Sequence, residues 1–393
     1  MQTPSRRNTV ASWTVIAAFL VLWLMHGWSV QDHARSYDFL CTYSTAYMTS
    51  HGRMADLYKP AAQLAVQQGL ALHSAESVPP ERPPLPFNRP PFYALLLAPL
   101  GWLPFRAAFV CWILLQIGVF VACLAWAWRR FGLPALVFGC MSMPAALGIA
   151  HAQDSVLVLA ILIASYILVE KGMEWTSGVV LGLLLVKFHL APLWPIALIL
   201  QRRWKMLGGF AATGTAVAGI SLAMIGVDGV RAYAAMLQNR DLAWLAAGPE
   251  YMISVQGLVF NLGIASMLAL AAVATAILAL FLVALWHAPL WRTYAATTAA
   301  SLLLVPHVHM YDATMLLLGL WLAIFCAGFK PTRMVAMWLV TPLPFSFMAA
   351  GKPWAVISAL SLLALIAALA AEALRLDPPA NSIAKDLTPH QPN

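Results

Sequence analysis

Apolar residues run through this chain in long blocks, not in the short alternations that mark strands. Blocks of roughly 20 apolar residues recur from end to end, and each crosses about 30 Å of hydrocarbon as a helix. A first span begins behind Arg6 and Arg7 and ends near Val30. Its core is too long for a signal peptide and closes on bulky Met25, Trp28 and Val30, so it reads as an uncleaved membrane helix. Further spans are predicted at 107–128, 134–150, 155–169, 176–187, 190–200, 207–226, 258–286, 293–306, 312–328, 335–350 and 354–373. Several are short and merge on a looser reading, which gives about ten to twelve in all. The fold class is an all-α polytopic membrane protein. A barrel is excluded, because its strands would alternate apolar and polar positions over about ten residues.

Polar positions divide the rest. Residues 31–105 form the longest non-spanning region, a first loop with three parts. Residues 38–58 are amphipathic and read as helix. Residues 59–82 are polar and lead into the proline-dense RPPLPFNRPP. The segment 92–104 is apolar but too short to span upright, and the prolines around it predict an interfacial or re-entrant helix. Residues 1–376 read as one transmembrane domain, and 377–393 as a disordered polar tail. No inverted internal repeat of the transporter kind is visible.

Composition narrows the classes. Only 10% of the 393 residues are charged, against 62% hydrophobic. Soluble domains carry about 25% charged residues, so a soluble fold of this size would lack the polar surface to cover itself. The net charge of +8 does not point to nucleic acid, because the basic residues sit in short turns. Those turns are 129–130, 170–175, 201–205, 287–292, 330–333 and 375–376. The alternate turns 151–154, 306–312 and 351–354 have few basic residues. The positive-inside rule then places both termini in the cytoplasm of a bacterial inner membrane and the first loop outside. The cysteines have no metal-ligand spacing and suggest no disulfide.

Ionisable groups beside a membrane are costly and mark functional candidates. Asp38 follows the first span, flanked by Tyr37 and Tyr43. It admits two readings: a general base held by aromatic and backbone neighbours, or an N-cap for the helix behind it. Lys187 and His189 interrupt two apolar runs, as a cationic phosphate anchor or as an interfacial turn. Arg89 sits where the chain changes direction. His151, Gln153 and Asp154 make a polar turn suited to sugar hydroxyls or to capping the span from Ser155. His307, His309, Tyr311 and Asp312 follow Pro306; zinc would want three converging ligands and a water, so this group reads as hydrogen-bonding. There is no P-loop and no dinucleotide fingerprint, and neither a cofactor nor a metal is indicated. Glycine pairs such as Gly178/Gly182 suit close helix packing.

Five segments resemble, in order and spacing, glycosyltransferase family 87, the polyprenyl-phosphate-mannose-dependent mannosyltransferases of the multispanning GT-C class. They are YDFLCTYSTAYMTSHGRMADLYKP, NRPPFYALLLAPLGWLP, AHAQDS, the glycine-rich GVVLGLLLVKFHLAPLW and VPHVHMYDATML. The likeness spans roughly residues 10–330. Arg89 stands where the family commonly has Tyr, Ala152-Gln153-Asp154 replaces a Gly-Gln-Asn turn, and Phe188 replaces the proline after Lys187. The resemblance implies a GT-C-like fold with a long first periplasmic loop, and an inverting transfer of a sugar, mannose in the family, at the outer leaflet. The donor would be a polyprenyl-phosphate sugar and the acceptor a lipid or glycan, with membrane lipids as surroundings. It aligns Asp38 with the catalytic acid. Arg89, Lys187, His189 and His307 become candidates for the leaving phosphate, and Tyr37, Tyr43, Gln153, Asp154, His309 and Asp312 for substrate contacts. A secondary transporter and a non-catalytic envelope-assembly protein are the alternatives.

Overall fold

The computed structural model describes residues 6–33, 38–74, 86–238 and 248–376. Tyr37 and the tail 377–393 lie outside the described residues. Those described are helical throughout, with one isolated bridge between Met252 and His309. The protein is an all-α, multi-pass membrane protein.

Among the described residues, four helices are long and apolar enough to cross a membrane unbroken: Phe105–Phe131, Trp204–Gln238, Met267–Ala284 and Val356–Arg375. The remaining expected spans are shorter or broken, and the breaks have local causes. The block 134–150 is two helices, Leu133–Cys140 and Met143–Ala150, bent by 51° with a proline in the first turn of each. The block 258–286 divides into Val255–Asn261 and Met267–Ala284 around Gly263, whose φ is +73°. The block 207–226 instead continues past its expected end, because the helix resumes beyond a break at Gly226 (φ +67°) and runs on to Gln238.

The first loop holds more helix than its polarity suggested. Leu40–Ser50 and Pro91–Leu97 match the amphipathic and apolar segments, but Pro60–Ser74 is also a helix. Its Ala, Leu and Gln content favours helix, and Pro60 occupies the first position, where its missing N–H costs nothing. Two of its three glutamines, Gln63 and Gln67, face inward. Gln63 donates to the Leu57 carbonyl and accepts from the Phe87 amide at 3.1 Å, while Gln67 donates to Ser44 Oγ at 3.3 Å.

Small residues bring the spans together. A Cβ at Gly178 would overlap the carbonyl of Met206, and one at Gly209 the carbonyl of Trp175. Helices Glu174–Gly182 and Trp204–Gln238 therefore touch backbone to backbone. Ser165, Ser177 and Tyr294 tie three helices through 2.8 Å hydroxyl contacts. Helix Leu290–Leu304 is buried on nearly every side against Leu316–Cys326, which marks the centre of the bundle.

The two kinds of turn gather at opposite ends. Arg130 pairs with Glu170 at 3.0 Å and Arg203 with Glu174 at 2.7 Å, which joins three of the basic turns, and Gln201 donates to the Leu285 carbonyl just before a fourth. Asp154 begins the helix that Glu170 ends. Its 16 residues separate the basic end from the acid- and histidine-bearing end by about 24 Å.

Candidate functional site

The site is built on a tight turn after helix Met143–Ala150. Gln153 N donates to the Gly148 carbonyl at 2.8 Å and Ala152 N to the Ile149 carbonyl at 3.0 Å, the paired bonds of a Schellman motif. That motif asks for a left-handed residue, usually glycine, and here Ala152 takes it at φ +54°. The departure from a glycine turn thus leaves the turn intact, at a steric cost of about 1–2 kcal/mol. Trp112 Nε1 fixes the Ala152 carbonyl at 2.8 Å.

Just beyond the turn lies a buried charge cluster. Asp154 Oδ1 is 3.0 Å from the Arg89 guanidinium and 2.9 Å from Lys187 Nζ. Lys187 also reaches Asp312 Oδ1 at 2.5 Å and Ser155 Oγ at 2.9 Å, and sits over the Tyr311 ring at 5.5 Å. The Lys187 side chain is fully buried and both carboxylates are nearly so. Two cations face two anions, so the cluster is neutral. Burial raises the pKa of Asp154, but Arg89 and Lys187 outweigh it and hold the carboxyl below its usual range. The other oxygen of Asp312 accepts the His309 amide at 3.0 Å and so starts the short helix Met310–Met315.

Arg89 and Asp154 are two positions where the resemblance described above implied a different residue, and they are each other's partners. The third departure is equally legible in three dimensions. Lys187 breaks the helical path (φ −117°, ψ +65°) without the proline that the resemblance led one to expect after it. Its ion pairs hold the break instead, while Phe188 packs edge-on against Tyr233. Lys187 was read either as a phosphate anchor or as part of an interfacial turn. An ammonium has three protons, and here two carboxylates and a hydroxyl surround it.

Asp38 lies beside this cluster, not in it. Its Oδ2 is 3.2 Å from His151 Nδ1, on the turn already described. Helix Leu40–Ser50 starts at Phe39 without a side-chain cap. A wall of Phe39, Tyr43, Phe105 and Phe109 stands behind, and Tyr43 spends its hydroxyl on the Leu103 carbonyl at 2.7 Å. His307 and His309 meet through their Nε2 atoms at 3.2 Å. Burial lowers both, and with His307 beside it His309 falls to about 4, so both rings are neutral at pH 7. A cavity of about 240 Å³ opens among Leu147, His151, Tyr251, His309, Tyr311 and Met348.

The structure therefore brings Asp38, Arg89, Asp154, Lys187, His307, His309 and Asp312 around one end of the bundle. Tyr43 is part of the aromatic wall, Gln153 contributes backbone to the turn, and His189, edge-on to Phe188, lies near enough to feel the charges of Asp312, Arg89 and Lys187. Sequence reasoning left His151 and Tyr311 without individual roles, although both stood in polar turns. Tyr93 and Tyr251 gave no signal at all. Tyr93 is buried next to Arg89 and Asp154, and Tyr251 reaches the cavity because residues 252–253 lie along 308–309.

The sequence model of glycosyltransferase family 87 matches residues 87–311, more than half of the chain. The chain belongs to that family. This family 87 member carries Arg89, Asp154, Lys187 and both histidines within the matched region, whereas Asp38 lies before it and Asp312 just after. A polyprenol-phosphate-mannose-dependent alpha-(1-2)-phosphatidylinositol pentamannoside mannosyltransferase of Mycolicibacterium smegmatis is similar, 29% identical over 171 residues. That stretch is 40% of this chain and 40% of the relative, so the chain matches well under half of the relative's length. No solved structure matches.

Proposed function

We propose that this protein is a membrane glycosyltransferase that moves mannose from a polyprenyl-phosphate donor to a lipid or glycan acceptor, at the outer face of the inner membrane. The observation that carries this reading is the convergence, at the less basic end of a helix bundle, of the Asp38 carboxylate, a set of cationic and hydrogen-bonding groups, and a cavity lined by His151, His309 and Tyr311. That end faces outward on the positive-inside rule, with both termini cytoplasmic. The family and the similar mannosyltransferase support the choice of reaction and donor.

In this reading Asp38 is the general base. Its carboxylate takes the proton of the acceptor hydroxyl as that oxygen attacks the anomeric carbon. The new glycosidic bond forms as the bond from the anomeric carbon to the phosphate oxygen breaks, and the configuration inverts. Polyprenyl phosphate leaves with the electron pair. Arg89 commits one nitrogen to Asp154 and keeps others for the phosphate, and the neutral His307–His309 pair, which spends one ring N–H on its mutual bond, adds the remaining one there. Lys187 works one layer deeper, holding Asp154 and Asp312 in place.

The test is a donor panel. The protein is placed in vesicles with radiolabelled mannose, carried either on polyprenyl phosphate or on a nucleotide. Label moving only from the lipid donor, into a product of inverted configuration, supports the proposal. Transfer from the nucleotide donor, or with retained configuration, overturns it.

A further inference from the structure

We infer that His151 is the positioning residue for Asp38, fixing the carboxylate through a hydrogen bond from Nδ1 to Oδ2. The inference rests on the functional reading above and extends it to a residue that reading does not use. Three observations carry it. The two atoms are 3.2 Å apart although the residues are 113 positions apart in sequence. The ring lines the same cavity as His309 and Tyr311, which places Asp38, its hydrogen-bond partner, next to that cavity. The third observation is the rigidity of the turn that presents the ring. His151 N is bonded to the Leu147 carbonyl at 2.9 Å, and the next residue is held at φ +54° with its carbonyl on Trp112. Strain of that kind persists only where the surroundings over-determine it.

The chemistry follows from the inventory of lone pairs. A carboxylate accepts through both oxygens. With Oδ2 engaged by His151, Oδ1 presents its lone pairs to the acceptor hydroxyl in one orientation rather than several. His151 does not touch the reacting atoms, so its removal should slow turnover without weakening donor binding.

The experiment compares His151→Leu, His151→Asn and Asp38→Asn, singly and in combination, in purified full-length protein. His151→Leu should lower kcat roughly 10- to 100-fold, at or below the low end of what a general base supplies, with donor KM within about threefold. His151→Asn places an amide N–H near the position of Nδ1 and should recover most of that loss. In the Asp38→Asn background His151→Leu should cost nothing further, because it acts only through Asp38. Wild-type kcat in His151→Leu, a loss confined to KM, or additive losses in the double variant would each overturn the proposal. A second readout does not need activity. The ¹⁵N signal of His151 Nδ1 should move on Asp38→Asn, and an unchanged signal overturns the pairing itself. A wild type that transfers no sugar overturns the functional reading, and with it the catalytic part of this inference.

Discussion

Replacing Lys187 with methionine keeps most of the side chain's volume and removes its charge. In the wild type the cluster is neutral, with Arg89 and Lys187 facing Asp154 and Asp312. Without Lys187 two nearly buried carboxylates share one guanidinium, and Asp312 and Ser155 lose the ammonium they now contact. Removing one partner of a buried pair costs about 3–5 kcal/mol, because the charge left behind cannot be rehydrated. At about 2 °C per kcal/mol for a large domain, the apparent melting midpoint should fall by roughly 6–10 °C. The double variant Lys187→Met with Asp312→Asn restores neutrality. It should recover at least half of the loss, since a neutral amide replaces the stranded carboxylate. The assay is thermal unfolding in a fixed detergent, followed by intrinsic fluorescence at one scan rate. A single variant within about 1 °C of wild type would refute the reasoning, and so would a double variant as unstable as the sum of its parts.

Three further outcomes follow from the same geometry. Ala152→Gly relieves the left-handed backbone at φ +54° while loosening the unfolded chain, and should raise stability by about 0.5–1 kcal/mol in the same melting assay. His309 is neutral when folded down to pH about 4, whereas the unfolded ring protonates near 6.5. Between those values the unfolded chain binds more protons, so stability should fall as pH drops through this window and level off below it, and His309→Gln should flatten the slope. Gly178→Ala pushes a methyl into the Met206 carbonyl and should cost about 1–3 kcal/mol, read as a lower midpoint with the charge cluster untouched.

Membrane spanning was legible in the sequence because hydropathy is summed over roughly 20 residues, and local detail averages out. The helix breaks were less legible. The segment 134–150 was read as one span although Pro134 and Pro144 open the two helices that bend there, and nothing local distinguishes Gly226, which interrupts a helix that then continues, from a glycine that ends one. Helix Pro60–Ser74 was missed for a related reason: its glutamines count as surface residues by composition, yet two of them are buried and tie the first loop together.

At the site, the candidate residues could be found but not their pairing. Asp154, Lys187 and Asp312 stood out as costly charges next to apolar runs. Their contacts cross 33 and 125 positions, and no periodicity reaches that far. The Arg89–Asp154 pair shows the limit well. Each residue alone looked like a loss of a family feature, and only the fold shows that two departures meet at 3.0 Å. The role of His151 was hidden in the same way, in a turn read as capping or sugar contact until the chain brought Asp38 to its ring.

The central claim is that Asp38 is the base, and the most direct measurement is the initial rate of mannose transfer by Asp38→Asn. Wild type and variant would be compared at equal abundance in vesicles supplied with labelled polyprenyl-phosphate mannose and acceptor lipids. The account predicts a loss of at least about 10²-fold with donor binding retained, since asparagine keeps the shape but cannot take the proton. Equal transfer by both proteins would contradict it and remove Asp38 from the chemistry.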